Sequence, residues 1–368
     1  MKAAVLREVG KPLVIENVAI GKPGPREVLI RTKAAGVCHS DLHFVEGSYP
    51  HPLPAVLGHE SAGIVEAVGD EVRTVKVGDH VITCLSVYCG HCEVCLTGHM
   101  SLCTSSETKR PKGSEPRLFK EDLSAANGRG PMAQFLNLSS FAELMLVHEH
   151  ACVAIRKDMP FDRAALIGCS VTTGIGAVIH TSKVQPGETV AVIGCGGVGL
   201  ATINGAAIAG AGRIIAIDRQ PSKLALARTF GATDVIDAND GDVVKQVQEL
   251  TSGGVHHSFE AIGLKVTAEQ SFKMLRRGGT ANIIGMIPVG TMIELHGPDF
   301  LGEKKIQGSY MGSNRFPVDM PRFVDFYMNG KLKLDELIAR RIKLEDVNDA
   351  FEELKRGELA RSVIVFDN

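Results

Sequence analysis

From Val190 to Gly212 the chain carries no charged residue, and inside that run an apolar VAVI leads into GCGGVG and then into GLATINGAAIAG. The run is long enough to cross a bilayer. Its clustered glycines and Asn204 argue instead for a buried strand, a tight turn and a helix, which is how a parallel strand–helix–strand unit opens. Glycines in such a turn let the backbone approach a pyrophosphate, and the helix N-terminus beyond it offers free amide donors and a favourable dipole. Gly194, Gly196, Gly197, Val198 and Gly199 are therefore candidate dinucleotide-binding residues.

The same rhythm continues downstream. RIIAID, DVIDA, VHHSFEAIG and GGTANIIG are predicted strands, and PSKLALARTFG is a predicted helix with Pro221 placed to open it and Gly231 to close it. This pattern predicts an α/β region built on a doubly wound parallel sheet. RIIAI ends at Asp218, about 20 residues beyond the glycines, where an acid accepts hydrogen bonds from ribose hydroxyls and repels a 2′-phosphate. NAD is thereby favoured over NADP, with the adjoining Arg219 as the residue that could meet a phosphate instead. Before this region, from Met1 to about Gly90, short apolar runs alternate with turn signals and predict an all-β domain. Residues 104–138 show no sustained period and predict a long surface loop. From about Tyr310 short helical segments and a final strand, SVIVF, predict a return to the first domain.

A formal charge of -2 with 22% charged residues gives no sign of a polyanion-binding surface, so the expected partner is a small molecule rather than a nucleic acid. The N-terminal MKAAVLREVG lacks the apolar core of a signal peptide, and the chain is expected in the cytoplasm, with no membrane partner. Nine cysteines are too sparse for a disulfide scaffold, so clustered thiols point to metal. Cys89, Cys92, Cys95 and Cys103 follow C-x2-C-x2-C-x7-C, with Gly90 and Gly98 allowing the loop to close on itself. Four thiolates around a closed tetrahedral ion form a structural zinc site, with no position left for a substrate. Cys38, His59 and Cys169 fit a second set, three ligands with the open fourth position that catalytic zinc requires, although each alone also reads as a core or surface residue. Cys84, Cys152 and Cys195 join neither set.

GVCHSDLH, LGHESAGIVEAVG, the four-cysteine loop, GCSVTTG and GCGGVG occur in the order found in zinc-dependent medium-chain alcohol dehydrogenases, and the chain resembles that family over nearly its whole length. The resemblance implies a GroES-like β catalytic domain over residues 1–170, with the structural-zinc loop at 89–103. It also implies a Rossmann NAD-binding domain over 171–309 and a C-terminal return over 310–368. Cys38, His59 and Cys169 would bind catalytic zinc, with Glu60 behind it and Asp41 orienting the imidazole of His59, although Asp41 also reads as a plain turn residue. Two zinc ions per chain and NAD are the implied cofactors.

By the same resemblance the enzyme would reversibly oxidise a primary alcohol to an aldehyde. The hydroxyl would be activated by zinc, hydride would pass to NAD, and a proton would leave from Ser40 through the cofactor ribose to His43. Arg361 and His39 would meet the pyrophosphate, Thr173 the nicotinamide or its ribose, and Lys223 the ribose, unless Lys223 is a solvated helix residue. The pocket would include Tyr49, Leu85, Phe141, Met286 and Tyr310, bulky side chains that suit an aromatic or allylic alcohol. Relatives imply a homodimer or homotetramer. A glutathione-dependent formaldehyde dehydrogenase is the alternative, disfavoured because EGSYPHPLPAVLGHE lacks an inserted acidic stretch. A quinone-binding or lens-type structural relative is a remote third, opposed by the intact Cys38, His59 and Cys169.

Overall fold

A computed structural model of the protein describes residues 1–111, 113–120, 130–357 and 360–367. The chain divides into two compact units. One is Met1–Cys169 with Arg315–Asn329 and Leu334–Asn368; the other is Ser170–Asn314 with Gly330–Lys333.

The first unit is built from two antiparallel-rich sheets. Lys2–Leu6, Val14–Ile20, Leu118–Lys120, Pro131–Gln134 and Ala55–Val56 close a small barrel. A seven-stranded sheet runs Cys152–Ile155, His80–Thr83, Ser61–Val68, Glu27–Val37, Arg361–Val365 and Ile338–Ile342, with Leu144–His148 also paired to Glu27–Val37. Between these layers lies an apolar core that includes Leu6, Leu57, Phe135, Phe141, Val347 and Ile364. The late strand Arg361–Val365 is antiparallel to Glu27–Val37, with Ser362 opposite Val37, so residue 361 sits beside Cys38.

Here the expectation for residues 104–138 is corrected. The described part of that segment supplies two barrel strands and a helical turn, Phe135–Asn137, and buries Phe119, Met132, Phe135 and Leu138. Strands of three and four residues are too short to show a period of two; Leu118–Lys120 is ordered by pairing with Val14–Ile20, and Pro131–Gln134 by pairing with Leu118–Lys120 and Ala55–Val56. Residues 121–129 lie outside the described set.

The second unit holds a six-stranded parallel sheet in the order Asp234–Asp237, Arg213–Asp218, Thr189–Ile193, Val255–Glu260, Leu275–Ile283 and Lys305–Gly308. In chain order this is third, second, first, fourth, fifth, sixth, the doubly wound arrangement, whose ligand crevice opens between the first and fourth strands. The strand Thr189–Ile193 is buried along almost its whole length, the apolar run that a parallel sheet covered on both faces demands. Helix Pro221–Thr229 starts at its proline, and Val243–Leu250 is capped by the Asp242 side chain, which accepts from Lys245 N at 3.2 Å. Among the described residues one helix, Phe161–Ser182, is long and apolar enough to cross a membrane. It is 83% buried over its apolar window, as a core helix is.

Candidate zinc and dinucleotide sites

Three segments distant in sequence bring Cys38, His59 and Cys169 together in the first unit. Their ligand atoms lie within 4.8 Å of one another and all three residues are buried. Cys38 caps the helix His39–Val45, and the carboxylate of Asp41, at the third helical position, accepts from Cys38 N at 3.2 Å. The same carboxylate accepts from Gly58 N at 3.1 Å and from His59 Nδ1 at 3.0 Å. It therefore ties the helix start to the turn before His59 and fixes the imidazole, leaving His59 Nε2 buried with no partner among the described residues. A buried donor-free nitrogen beside two thiols is what a metal ion satisfies.

The charge pattern agrees. Hydrogen bonding from Cys169, followed by the nearby Arg361 guanidinium, holds the Cys38 thiol well below the ordinary thiol range. The Cys169 thiol is pushed well above it by sharing that bond and by burial. Burial alone would lower the His59 pKa, but the Asp41 carboxylate outweighs it and leaves the ring well above its ordinary value. Gly36 makes room for the group behind the site, since a Cβ there would stand 2.9 Å from Glu60 Cδ.

Cys89, Cys92, Cys95 and Cys103 converge in one loop, with Sγ separations of 3.8 Å for Cys92 to Cys103, 3.8 Å for Cys103 to Cys89 and 4.0 Å for Cys89 to Cys95. Four sulfurs each about 2.3 Å from a tetrahedral ion stand roughly 3.8 Å apart, so this loop matches zinc in size as well as in donor type. Backbone amides point at the sulfurs: Cys89 N donates to Cys103 Sγ and Cys92 N to Cys89 Sγ, each at 3.4 Å. The His91 amide, with that of Cys92, draws the Cys89 pKa down to about 6, whereas burial pushes Cys95 up to about 12.

In the second unit three glycines of GCGGVG have separate tasks. Gly194 turns the chain at a φ of +94°. Gly196 faces open space, where no side chain obstructs a phosphate, and a Cβ on Gly199 would stand 1.7 Å from Gly194 O, so only glycine lets the helix Gly197–Ile208 pack against the strand end. Asp218 sits at the end of its strand and accepts from Cys195 N at 2.7 Å and from Gln220 N at 3.0 Å. Those two amides aim its carboxylate across the glycine turn.

Two family models cover most of the chain. Residues 24–157 match the alcohol dehydrogenase GroES-like domain and residues 197–327 the zinc-binding dehydrogenase domain. The S-(hydroxymethyl)glutathione dehydrogenase of Synechocystis sp. is 39% identical over 367 residues, covering 99% of each protein. This chain belongs to the zinc-dependent medium-chain alcohol dehydrogenases. Another relative, the S-(hydroxymethyl)glutathione dehydrogenase of Saccharomyces cerevisiae, is 38% identical over 373 residues, covering 99% of this chain and 96% of that protein. The crystal structure of benzyl alcohol dehydrogenase from Acinetobacter calcoaceticus matches with 33% identity and a TM-score of 0.90, covering 99% of both chains.

The zinc-dependent alcohol dehydrogenases bind NAD(P), and the two ligand sets here are consistent with two zinc ions. Of the other residues expected at the site, Ser40 Oγ lies 3.7 Å from Cys38 Sγ. His39 and His43 occupy adjacent turns of one short helix with ring centroids 6.1 Å apart, His39 exposed and His43 half-buried. Lys223 is half-buried on Pro221–Thr229, and its charge reaches the Cys195 thiol beside Asp218. Arg219 donates to Asn239 Oδ1 at 3.2 Å and is exposed. Thr173 is buried and donates to Met311 Sδ at 3.6 Å.

The pocket expectation divides. Tyr49 is half-buried with its ring 6.2 Å from that of His43, and Leu85 is buried, its carbonyl accepting from Asn137 Nδ2 at 2.9 Å. Met286 is half-buried and Tyr310 is 51% exposed. Phe141 is a core ring, fully buried against Phe351, and the missing Cβ of Gly58 is what lets it fit, since a Cβ there would stand 2.5 Å from the ring. Sequence reasoning missed Phe135 and His51. Phe135 lies edge-on to the His59 ring at 6.0 Å and to the His51 ring at 5.3 Å. Its sequence signal is weak, an aromatic residue among Met132, Ala133, Leu136 and Leu138 in a segment with no sustained period. Burial lowers the His51 pKa.

Proposed function

We propose that this enzyme oxidises S-(hydroxymethyl)glutathione with NAD, using Cys38, His59 and Cys169 as the ligands of its catalytic zinc. The full-length similarity to proteins of that name carries this reading, and it reverses the order expected from the short Glu46–Glu60 segment. Zinc held there would supply Lewis acidity toward the substrate hydroxyl. Asp41 orients His59, Ser40 and His43 form the outlet for the hydroxyl proton, and the burial of Cys38, His59 and Cys169 keeps bulk water away. Gly194 to Gly199 cradle the pyrophosphate, and Asp218 selects NAD by accepting from the ribose hydroxyls. The chain works as at least a dimer in the cytoplasm.

An aromatic primary alcohol is the second reading. Phe44 packs against Tyr49 and His51, the core ring Phe135 links Phe44 and His51 to His59, and benzyl alcohol dehydrogenase shares the fold throughout. Parallel measurements of NADH formation with formaldehyde plus glutathione and with benzyl alcohol separate the two. The first reading expects the higher kcat/KM for the glutathione adduct. A dependence on benzyl alcohol with no response to glutathione would reverse the assignment.

A further inference from the structure

Arg361 opens the strand Arg361–Val365, and the pairing of Ser362 with Val37 delivers its side chain to the catalytic thiols. The guanidinium is 3% exposed. Its Nη2 stands 3.3 Å from Cys38 Sγ and 3.3 Å from Glu60 Oε2, while Nη1 donates to Val37 O at 3.5 Å. Removing such a cation from water costs several kcal/mol unless opposite charge and hydrogen bonds replace the solvent. Here the replacement is a metal-binding thiolate and a carboxylate that is itself fully buried. The two thiolates and Glu60 outweigh the charge of a divalent ion even before the buried Asp41 is counted, and Arg361 supplies one offsetting positive charge beside them.

We infer that Arg361 is a positioning residue of the catalytic metal site: it holds the Cys38 sulfur and the Glu60 carboxylate in place and draws electron density from that sulfur. A hydrogen bond donated to a ligating thiolate weakens its donation to the metal and leaves the ion a stronger Lewis acid. The planar guanidinium can engage sulfur, carboxylate and carbonyl together, whereas a lysine ammonium is a single point charge on a flexible stem. This role differs from the pyrophosphate contact that the family resemblance implies, and it rests on the zinc assignment of Cys38, His59 and Cys169.

The test uses the full chain with cobalt(II) exchanged into the catalytic site and zinc kept in the four-cysteine loop. In Arg361→Met the thiolate-to-cobalt charge-transfer band should move to longer wavelength, because the sulfur loses the hydrogen bond that draws density from it. Arg361→Lys should show a smaller shift, and it carries the same test should the methionine variant not fold. Cofactor affinity is measured alongside by NADH fluorescence. Loss of NADH affinity with the band unmoved in both variants would overturn the inference in favour of a pyrophosphate role. In wild-type protein holding cadmium-113, a scalar coupling from the metal to an Arg361 guanidinium proton is expected, and its absence counts against the hydrogen bond. Failure of wild-type protein to take up cobalt at this site would remove the zinc assignment, and this inference with it.

Discussion

The two cysteine sets are assembled in different ways. Cys89, Cys92, Cys95 and Cys103 come from one loop, and Cys92 and Cys103 are only half-buried. Cys38, His59 and Cys169 come from a helix cap, a strand entrance and a core helix, and all are buried. The loop can close around an ion by local folding alone, whereas the second set exists only once the sheet, the capped helix and the core helix are in place. Stability and chemistry are thereby placed on separate ions.

The sharpest way to break that comparison is to remove one ligand from each set. Cys169→Ser should lower turnover by more than roughly a hundredfold while leaving NADH affinity unchanged. Cys92→Ser should instead destabilise the fold by on the order of 4 kcal/mol, the range of a lost structural metal, with near-normal turnover per folded chain. Metal analysis should find one zinc per chain in each variant and two in the wild type, and equal loss of turnover in both would erase the distinction. A smaller effect is expected behind the catalytic set. Asp41→Asn keeps the shape but weakens the hold on His59, so zinc affinity, read by chelator competition, should fall about 10–100-fold. The four-cysteine loop should keep its ion throughout.

The smallest effect concerns the frame that carries both sets. Burial would raise the Glu27 pKa, but hydrogen bonding from Arg110 and the charge of Arg117 hold it at about 2 against an ordinary 4.5. A depressed carboxylate stabilises the fold fully above pH 4.5, and that contribution is lost as pH falls from there through about 2. Glu27→Gln should therefore cost about 1–2 kcal/mol at neutral pH, allowing for solvent screening, and should flatten urea midpoints between pH 5 and pH 3. A variant as acid-sensitive as the wild type would show that the ion pair does not matter.

Spacing carried much of this in the sequence. The regular cysteines, the glycines beside an apolar strand and the acid at the next strand end each act through neighbouring backbone, so their geometry follows from local order. What the sequence left unread acts across distance. Phe135 reaches His59 only because Pro131–Gln134 joins the barrel, and Arg361 reaches Cys38 only through a pairing of strands far apart in the chain. Phe141 misled in the opposite direction: a bulky ring near the family's pocket position is held in the core by its backbone bond to Leu57 and by the space left at Gly58.

The strand Arg361–Val365 also sets a timetable for the ribosome. Arg361 and Val37, joined by a hydrogen bond, are 324 residues apart, and synthesis at about 5–20 residues per second separates their emergence by on the order of tens of seconds. For that interval the Ala34–Val37 end of Glu27–Val37 waits without its neighbour, a sticky edge open to other nascent chains. Residues Ser170–Asn314, with local parallel pairings, can fold in the meantime. Expression yield should thus depend on how well the cell shields that early edge, even though the finished enzyme gives no sign of it.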